Sequence, residues 1–488
     1  MPRDGLVIRN AEIAGVPGRD ARIVGERIIE IGRGLSGAAD EIDARGGALI
    51  PGLIDHHIHL LATAAQADSL TLDQVQTAEA FATRLRAFAA ARPAGNWVRA
   101  TGYHDRVAGV LRREDLDALA PDHPVRVQHQ TGSLWMLNSR ALGIVEHGDA
   151  PEGLERDAGG RATGRIWRGD AWLATRIDPT PPALAPLGAA LAAMGVTGVM
   201  DASVSTDPQA AAILAAAHRA GELPQRLGLM SGRDLRAPED GAFIVGPLKL
   251  LLDDHDLPPF DEMVRRVGVA RALRRRVAVH CVTAGELALT LAAFETAGAA
   301  PGDRIEHGGV IPAEALPVIA RLGLTVVTQP GFVFERGDRY RADIDLSEQA
   351  DLYRCASLIG AGIPVAASSD APYSPPDPWA AMRAAVHRRT RADELLGEAE
   401  RVGAAVALGL YLGDPRDPGG PPRRVAAGEA ADLCLLSVPL AEALESLRPD
   451  LVAATIIAGR IVFSAPGMRS LRFLPRPLAS LGRGRCGR

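Results

Sequence analysis

The segment PGLIDHHIHL carries three histidines, of which His57 and His59 are two residues apart. On an extended strand, residues i and i+2 share a face. Two imidazoles so placed make half of a metal site. Asp55 shares that face and is a candidate to orient a ligand histidine, whereas His56 has the opposite parity and reads as structural. Lys249 lies in GPLKLLL, a run that reads as a fully buried strand, and it is the only lysine among 54 basic residues. An unpaired buried ammonium is strongly disfavoured, so this amine must be neutral, paired or modified. Paired, its partner would be Asp253 or Asp254. Modified by carbon dioxide, it would become a carbamate whose two oxygens can bridge two metal ions, a reaction closed to arginine. His280 closes RVAVHC, His307 closes RIEH and Asp370 closes PVAASSD. Either histidine alone is more often a satisfied core residue than a ligand. Six such groups, each at a comparable place in its run, point jointly to a metal centre.

The elements that must position them are short apolar runs suited to buried strands. Eight can be marked: Leu53–His59, Thr197–Ser203, Arg226–Ser231, Pro247–Leu252, Arg276–Val282, Asp303–His307, Leu324–Gln329 and Pro364–Asp370. Between most of them lie stretches of helical spacing such as FDEMVRRVGVARALRR and AGELALTLAAFETAG. Repeated strand and helix steps of this length fit βαβ units, and eight units favour a closed parallel barrel, whose active site lies at the C-terminal ends of its strands. The six groups fall on the first, fourth, fifth, sixth and eighth strands. The step from the first strand to the second is too long for one helix. It holds strand-like NWVRATGY and VRVQHQTG and helix-like TAEAFATRLRAFAAARP and LNSRALG, and is expected to be an inserted subdomain over the barrel mouth.

Residues 6–50 alternate short β-like runs with Gly-rich turns, and VAAGEAADLCLLSV and LVAATIIAGRIVF resume that style near the other end. The expected fold is therefore α/β, a distorted (β/α)8 TIM barrel with a small β-sandwich formed by both termini. Its parts would be 1–50 and 405–468 for the sandwich and 51–404 for the barrel, with the insertion at about 62–182 and a basic tail at 469–488.

The 488 residues exceed one ordinary domain but suit such a barrel with additions. A net charge of −5, with 54 basic and 59 acidic residues, points away from nucleic acid and from an anionic membrane. The uncharged stretch Ala183 to Met200 is as long as a membrane span, but it carries Pro186 and three glycines and reads as a helix followed by a buried strand. MPRDGLVIRN has no apolar run of the kind a signal peptide needs, so a cytoplasmic location is expected. The four cysteines, Cys281, Cys355, Cys434 and Cys486, make no CxxC pair and no disulfide framework. Cys281 reads as a buried structural thiol.

PGLIDHHIHL, the lone lysine of the fourth strand, VAVHC, RIEHGG and SSDAP together resemble the amidohydrolase superfamily, in particular its family-3 branch, which contains the N-substituted formamide deformylases. The resemblance spans nearly the whole chain, to about Phe463. It implies that His57 and His59 bind the more buried of two divalent metal ions, with zinc favoured, and that a carbamate on Lys249 bridges the pair. It further implies that His280 and His307 bind the more exposed ion, while Asp370 ligates the first and handles the proton. The implied reaction is cleavage of an amide-type C–N bond (in a formamide, an N-acyl compound or a cyclic amide) by a metal-bound hydroxide. Two departures from the branch lie near where substrate would sit: Asp254 stands at a usual glycine, and Ser133 where many relatives carry histidine.

Tyr103, His104, Trp135, Arg336, Arg339, Tyr340 and Trp379 fall in the insertion or in loops after the last two strands and are candidates to line a pocket for a small-molecule substrate. Residue by residue, packing or surface exposure is the competing reading. Two other functions stay open: a mononuclear deaminase of the same fold, and a non-catalytic scaffold, from which metal ligands would be expected to have been lost. The sequence is compatible with a homo-oligomer.

Overall fold

The computed structural model describes residues 5–36, 40–72, 75–169, 172–173, 175–177 and 181–468. The basic stretch 469–488, with Cys486, lies outside the described residues. The chain forms two compact units, one made of residues 1–58 and 188–488 and the other of residues 59–187.

The larger unit is built on an eight-stranded parallel sheet. Its strands are Leu53–Ile58, Val196–Asp201, Arg226–Ser231, Ile244–Leu250, Val277–Cys281, Arg304–His307, Thr325–Thr328 and Val365–Ala367. They pair in chain order, each parallel to the next. The eighth strand returns to the first where Asp370 N donates to His57 O at 2.8 Å and Ser369 N donates to Asp55 Oδ1 at 3.0 Å. This nearly closed barrel is the expected (β/α)8 architecture. Its strands are buried almost without interruption, as parallel strands covered on both sides must be.

Helices alternate with the strands, and their caps are legible in sequence. Phe260–Ala272 buries Met263, Val267 and Ala270 at helical spacing. Ala284–Ala297 opens on a capping box in which Thr283 accepts from Glu286 N and Glu286 reaches back to Thr283 N. The uncharged stretch before the second strand divides as its proline and glycines suggest, into the helix Ala185–Ala193 and the buried strand Val196–Asp201. No described helix is long and apolar enough to cross a membrane.

A second eight-stranded sheet of the larger unit joins sequence-distant segments. It contains Leu6–Ile13, Val16–Val24, Arg27–Gly32, Asp40–Asp43 and Ala48–Pro51 from one end of the chain, and Leu433–Leu436, Val452–Ile457 and Arg460–Ser464 from the other. The join is antiparallel, with Leu433 opposite Pro51 and Leu435 opposite Leu49. Ile8, Ile23, Ile28, Leu433, Leu435 and Ile456 share its core. Only Gly52 separates this sheet from the first barrel strand, and a Cβ there would stand 2.0 Å from Thr197 Cγ2.

The smaller unit has its own six-stranded sheet, ordered Leu154–Arg156, Ala162–Trp167, Leu134–Leu137, Val125–His129, Val98–Tyr103 and Leu70–Thr71. The helix Ala78–Ala90 is capped by Thr77 and contributes Phe81, Leu85 and Ala89 to its core.

Candidate metal centre

The six groups singled out above lie at or just beyond the C-terminal ends of their strands. His57 is buried on the first strand, and His59 follows that strand directly as the cap of the helix Leu60–Ala67, its carbonyl accepting from Thr63 N at 2.8 Å. His57, His59 and Asp370 present ligand atoms that all lie within 4.8 Å of one another. His57 Nε2 stands 3.4 Å from Asp370 Oδ1. The His307 ring lies 4.8 Å from that of His57 and 4.4 Å from that of His280, centroid to centroid.

Two of these residues reach the cluster through unusual backbone. His307 has φ 70° and Asp370 φ 53°, the left-handed region that non-glycine residues avoid. Such conformations cost about 1–3 kcal/mol each and persist where the surroundings enforce them. In RIEH the buried Glu306 turns its side chain to His57. Plain alternation would carry the next residue to the opposite face, and the positive φ of His307 returns its ring to the cluster.

Lys249 is 3% exposed, and its Nζ has no hydrogen-bond partner among the described residues. Burial pushes its amine below the ordinary 10.5, partly offset by the charges of Glu306 and Asp370. The ion pair with Asp253 or Asp254 is not formed. Asp253 Oδ1 instead accepts from His255 N at 3.1 Å, and Asp254 Oδ1 accepts from Thr283 Oγ1 at 2.8 Å. Both aspartates lie in the segment after the strand, where Asp253 is taken by its own turn and Asp254 by Thr283 from beyond the fifth strand. Burial, with the charges of His57, His280 and Lys249 nearby, holds the His307 imidazole well below its ordinary 6.5, so it is neutral. A buried amine with no hydrogen-bond partner among the described residues, beside imidazoles and a carboxylate, is a donor set that fits divalent metal ions of the zinc class.

Several buried residues that sequence reasoning missed support this set. Glu306, not Asp55, accepts from His57 Nδ1. Asp55 is instead taken by strand eight, accepting from Ser369 Oγ at 2.5 Å and Ser369 N at 3.0 Å, and from His57 N at 3.2 Å. Its carboxyl is pushed up to about 6 by burial, against the lowering effect of those hydrogen bonds. Arg304 pairs with Glu306 from within the same strand and donates to His56 O at 2.8 Å. Burial alone would raise the Glu306 carboxyl, but Arg304 and Lys249 outweigh it and hold it below the ordinary 4.5. Gln329, at the end of the seventh strand, meets His307 Nδ1 at 2.9 Å. A polar residue at a strand end was a signal available for Gln329; Glu306 carried none beyond its place beside His307. Cys281 faces away from this chemistry: its thiol lies 3.3 Å from Thr290 Oγ1 and burial pushes it up to about 12.

The seven pocket candidates are spread through both units. In the smaller unit Tyr103 is fully buried, with its hydroxyl donating to Gly109 O at 2.7 Å. Trp135 is buried there, and His104 caps the short helix Asp105–Ala108. In the larger unit Trp379 is 1% exposed, with Nε1 donating to Met194 O at 2.9 Å. Tyr340 meets the Tyr353 hydroxyl at 3.1 Å, and the exposed Arg339 pairs with Asp343 at 3.0 Å. Arg336 lies over the Phe332 ring and donates to Tyr373 O at 3.0 Å, while Tyr373 N donates to Asp370 O at 2.9 Å. Arg336 thus touches the loop that leaves Asp370.

The model of the amidohydrolase family matches residues 40–463. An N-substituted formamide deformylase from Arthrobacter pascens is 27% identical, over 95% of this chain and 99% of its own. Among solved structures, a metal-dependent hydrolase from Pyrococcus furiosus superposes with a TM-score of 0.70 at 21% identity, over 87% of this chain and 98% of that one. A second, from Pyrococcus horikoshii OT3, gives 0.68 at 20% identity, over 84% and 92%. At those identities the two structures speak to the fold.

Proposed function

The chain belongs to the amidohydrolase family, and from that membership we propose that it is a binuclear metal hydrolase cleaving an amide-type C–N bond, with N-substituted formamides the leading substrate class. The buried Lys249 Nζ, without a hydrogen-bond partner among the described residues, carries this reading. Carboxylated, it would supply two oxygens for metal ions. His57, His59 and Asp370 would hold one ion, and His280 and His307 the other. Zinc suits their nitrogen and oxygen donors. When bound, such ions acidify a water and polarise the substrate carbonyl.

The protein's own part is positional and protonic. Asp370 is fixed by its backbone N–H to His57 O, and by the neighbouring Ser369 side chain locked onto Asp55. Its carboxylate takes the proton of the attacking water and gives it to the departing nitrogen. The water oxygen bonds to the carbonyl carbon, the C–N bond breaks, and a carboxylic acid and an amine leave. For a formamide these are formate and the free amine. The substrate class is supported by the formamide deformylase that this chain resembles over 95% of its length.

The test is a panel of N-alkyl and N-aryl formamides, N-acyl amino acids and cyclic amides offered to the metal-loaded protein, with released acid and amine both quantified. Hydrolysis is expected on the formamides, with Asp370→Asn lowering kcat by about 100-fold or more. The compact group formed by His57, His59 and Asp370 would also serve a mononuclear deaminase. Release of ammonia from an aminated ring, with one ion per chain, would favour that reading instead. A metal-loaded protein that cleaves no member of the panel, and an Asp370→Asn variant indistinguishable from it, would contradict the proposal.

A further inference from the structure

The proton positions of two imidazoles are dictated by buried hydrogen-bond chains. At His307 the chain can be followed atom by atom. Ser368 Oγ donates to Thr328 O at 3.2 Å, so it accepts from Gln329 Nε2 at 3.0 Å. A second proton of Gln329 Nε2 points to Val327 O at 3.5 Å. With the amide nitrogen so placed, Gln329 Oε1 is the atom facing His307 Nδ1 at 2.9 Å, and it can only accept. Nδ1 therefore carries the hydrogen and Nε2 keeps its lone pair.

At His57 the acceptor is a carboxylate. Arg304 grips Glu306 at both oxygens, Nε on Oε1 and Nη2 on Oε2 at 3.1 Å, and all three residues are buried. A carboxylate so held has no proton to give, so His57 Nδ1 donates to Glu306 Oε2. The lone pair is left on Nε2, on the side of Asp370. The two imidazoles are thus set in the same tautomer by different partners, one anionic and one neutral.

We propose that Glu306 and Gln329 are positioning residues that present His57 and His307 through Nε2, and that the ion held through His57 is bound more tightly than the ion held through His307. The ranking follows from partner charge, because an anionic acceptor increases the electron-donating power of an imidazole more than an amide does. It rests on the two-ion reading above.

The measurement is a cobalt(II) titration of the metal-free full-length protein, followed by visible absorption and by competition with a chromophoric chelator. Wild type takes up two ions in steps separated by about 10-fold or more in affinity. Glu306→Gln preserves shape and removes charge, and it weakens the tighter step by about 10–100-fold while leaving the weaker one in place. Gln329→Met weakens the other step alone. Melting of each metal-free variant separates loss of fold from loss of affinity. Should Glu306→Gln not fold, the wild-type step separation and Gln329→Met decide the matter. Two equal steps in wild type, or both steps moving together in a folded variant, overturn the ranking and leave the two-ion reading standing. A wild type that takes up one ion or none overturns both.

Discussion

A buried ammonium without a partner is strongly disfavoured in a folded protein, and the carbamate proposed for Lys249 would answer that constraint by chemistry. Its amine lies below the ordinary lysine value because of burial, and the neutral amine is the form that attacks carbon dioxide. The account therefore predicts a bicarbonate requirement. Metal-free protein given metal in carbon-dioxide-depleted buffer should recover activity slowly, and added bicarbonate should restore it several-fold faster. Lys249→Gln should recover nothing in either buffer. Equal recovery with and without bicarbonate would show that Lys249 serves unmodified.

The ends of neighbouring strands must be held close if their histidines are to meet, and Gly309 does this between the fifth and sixth. Its N–H donates to Cys281 O at 3.1 Å, and a Cβ at that position would stand 2.5 Å from Val282 O. Backbone cannot step aside as a side chain can. Gly309→Ala should cost about 1–3 kcal/mol and should loosen metal binding, since the displaced ends carry His280 and His307. A melting curve and a chelator competition check both parts, and a variant equal to wild type in each would refute the argument.

Elsewhere in the barrel, Glu400 ties the turn after one helix to the segment before another. It accepts from Arg354 Nη1 at 2.8 Å, Cys355 N at 3.0 Å and Ser357 N at 2.9 Å. Burial alone would raise its carboxyl, but the Ser357 hydroxyl and N–H together with the Arg354 guanidinium outweigh burial and hold it below the ordinary 4.5. A depressed folded value stabilises the fold above pH 4.5, and that stability is lost as pH falls through the folded value. Glu400→Gln should therefore cost about 3 kcal/mol at pH 7, with the gap to wild type closing below pH 4.5. Melting midpoints from pH 7 to pH 3 test this, and a gap independent of pH would contradict it.

The barrel elements and the candidate ligand positions were legible for one reason. Parallel barrel strands are short, apolar and evenly spaced, so a polar residue at a strand end stands out, as His280, His307 and Asp370 do. What escaped were partners brought together across the barrel. Parity placed Asp55 on the face of His57, yet Ser369 claims that carboxylate and Glu306 arrives from the sixth strand to take the imidazole. Neither the closure of the first strand on the eighth nor the left-handed turn at His307 has a period that can be read along a chain.

At the scale of the molecule, sheet-to-barrel continuity sets where the chemistry sits. Strands from both ends of the chain pair at Leu433 and Pro51, and one residue later the chain enters the strand that bears His57. The family match over residues 40–463 embraces that pairing and all six candidate ligand positions. The central claim is that these six positions hold two ions. Elemental analysis of protein expressed with zinc and bicarbonate, in moles of metal per chain, tests it most directly. The account predicts a value near two that falls to one or less in Lys249→Gln. A value near one in wild type, unchanged in that variant, would contradict it.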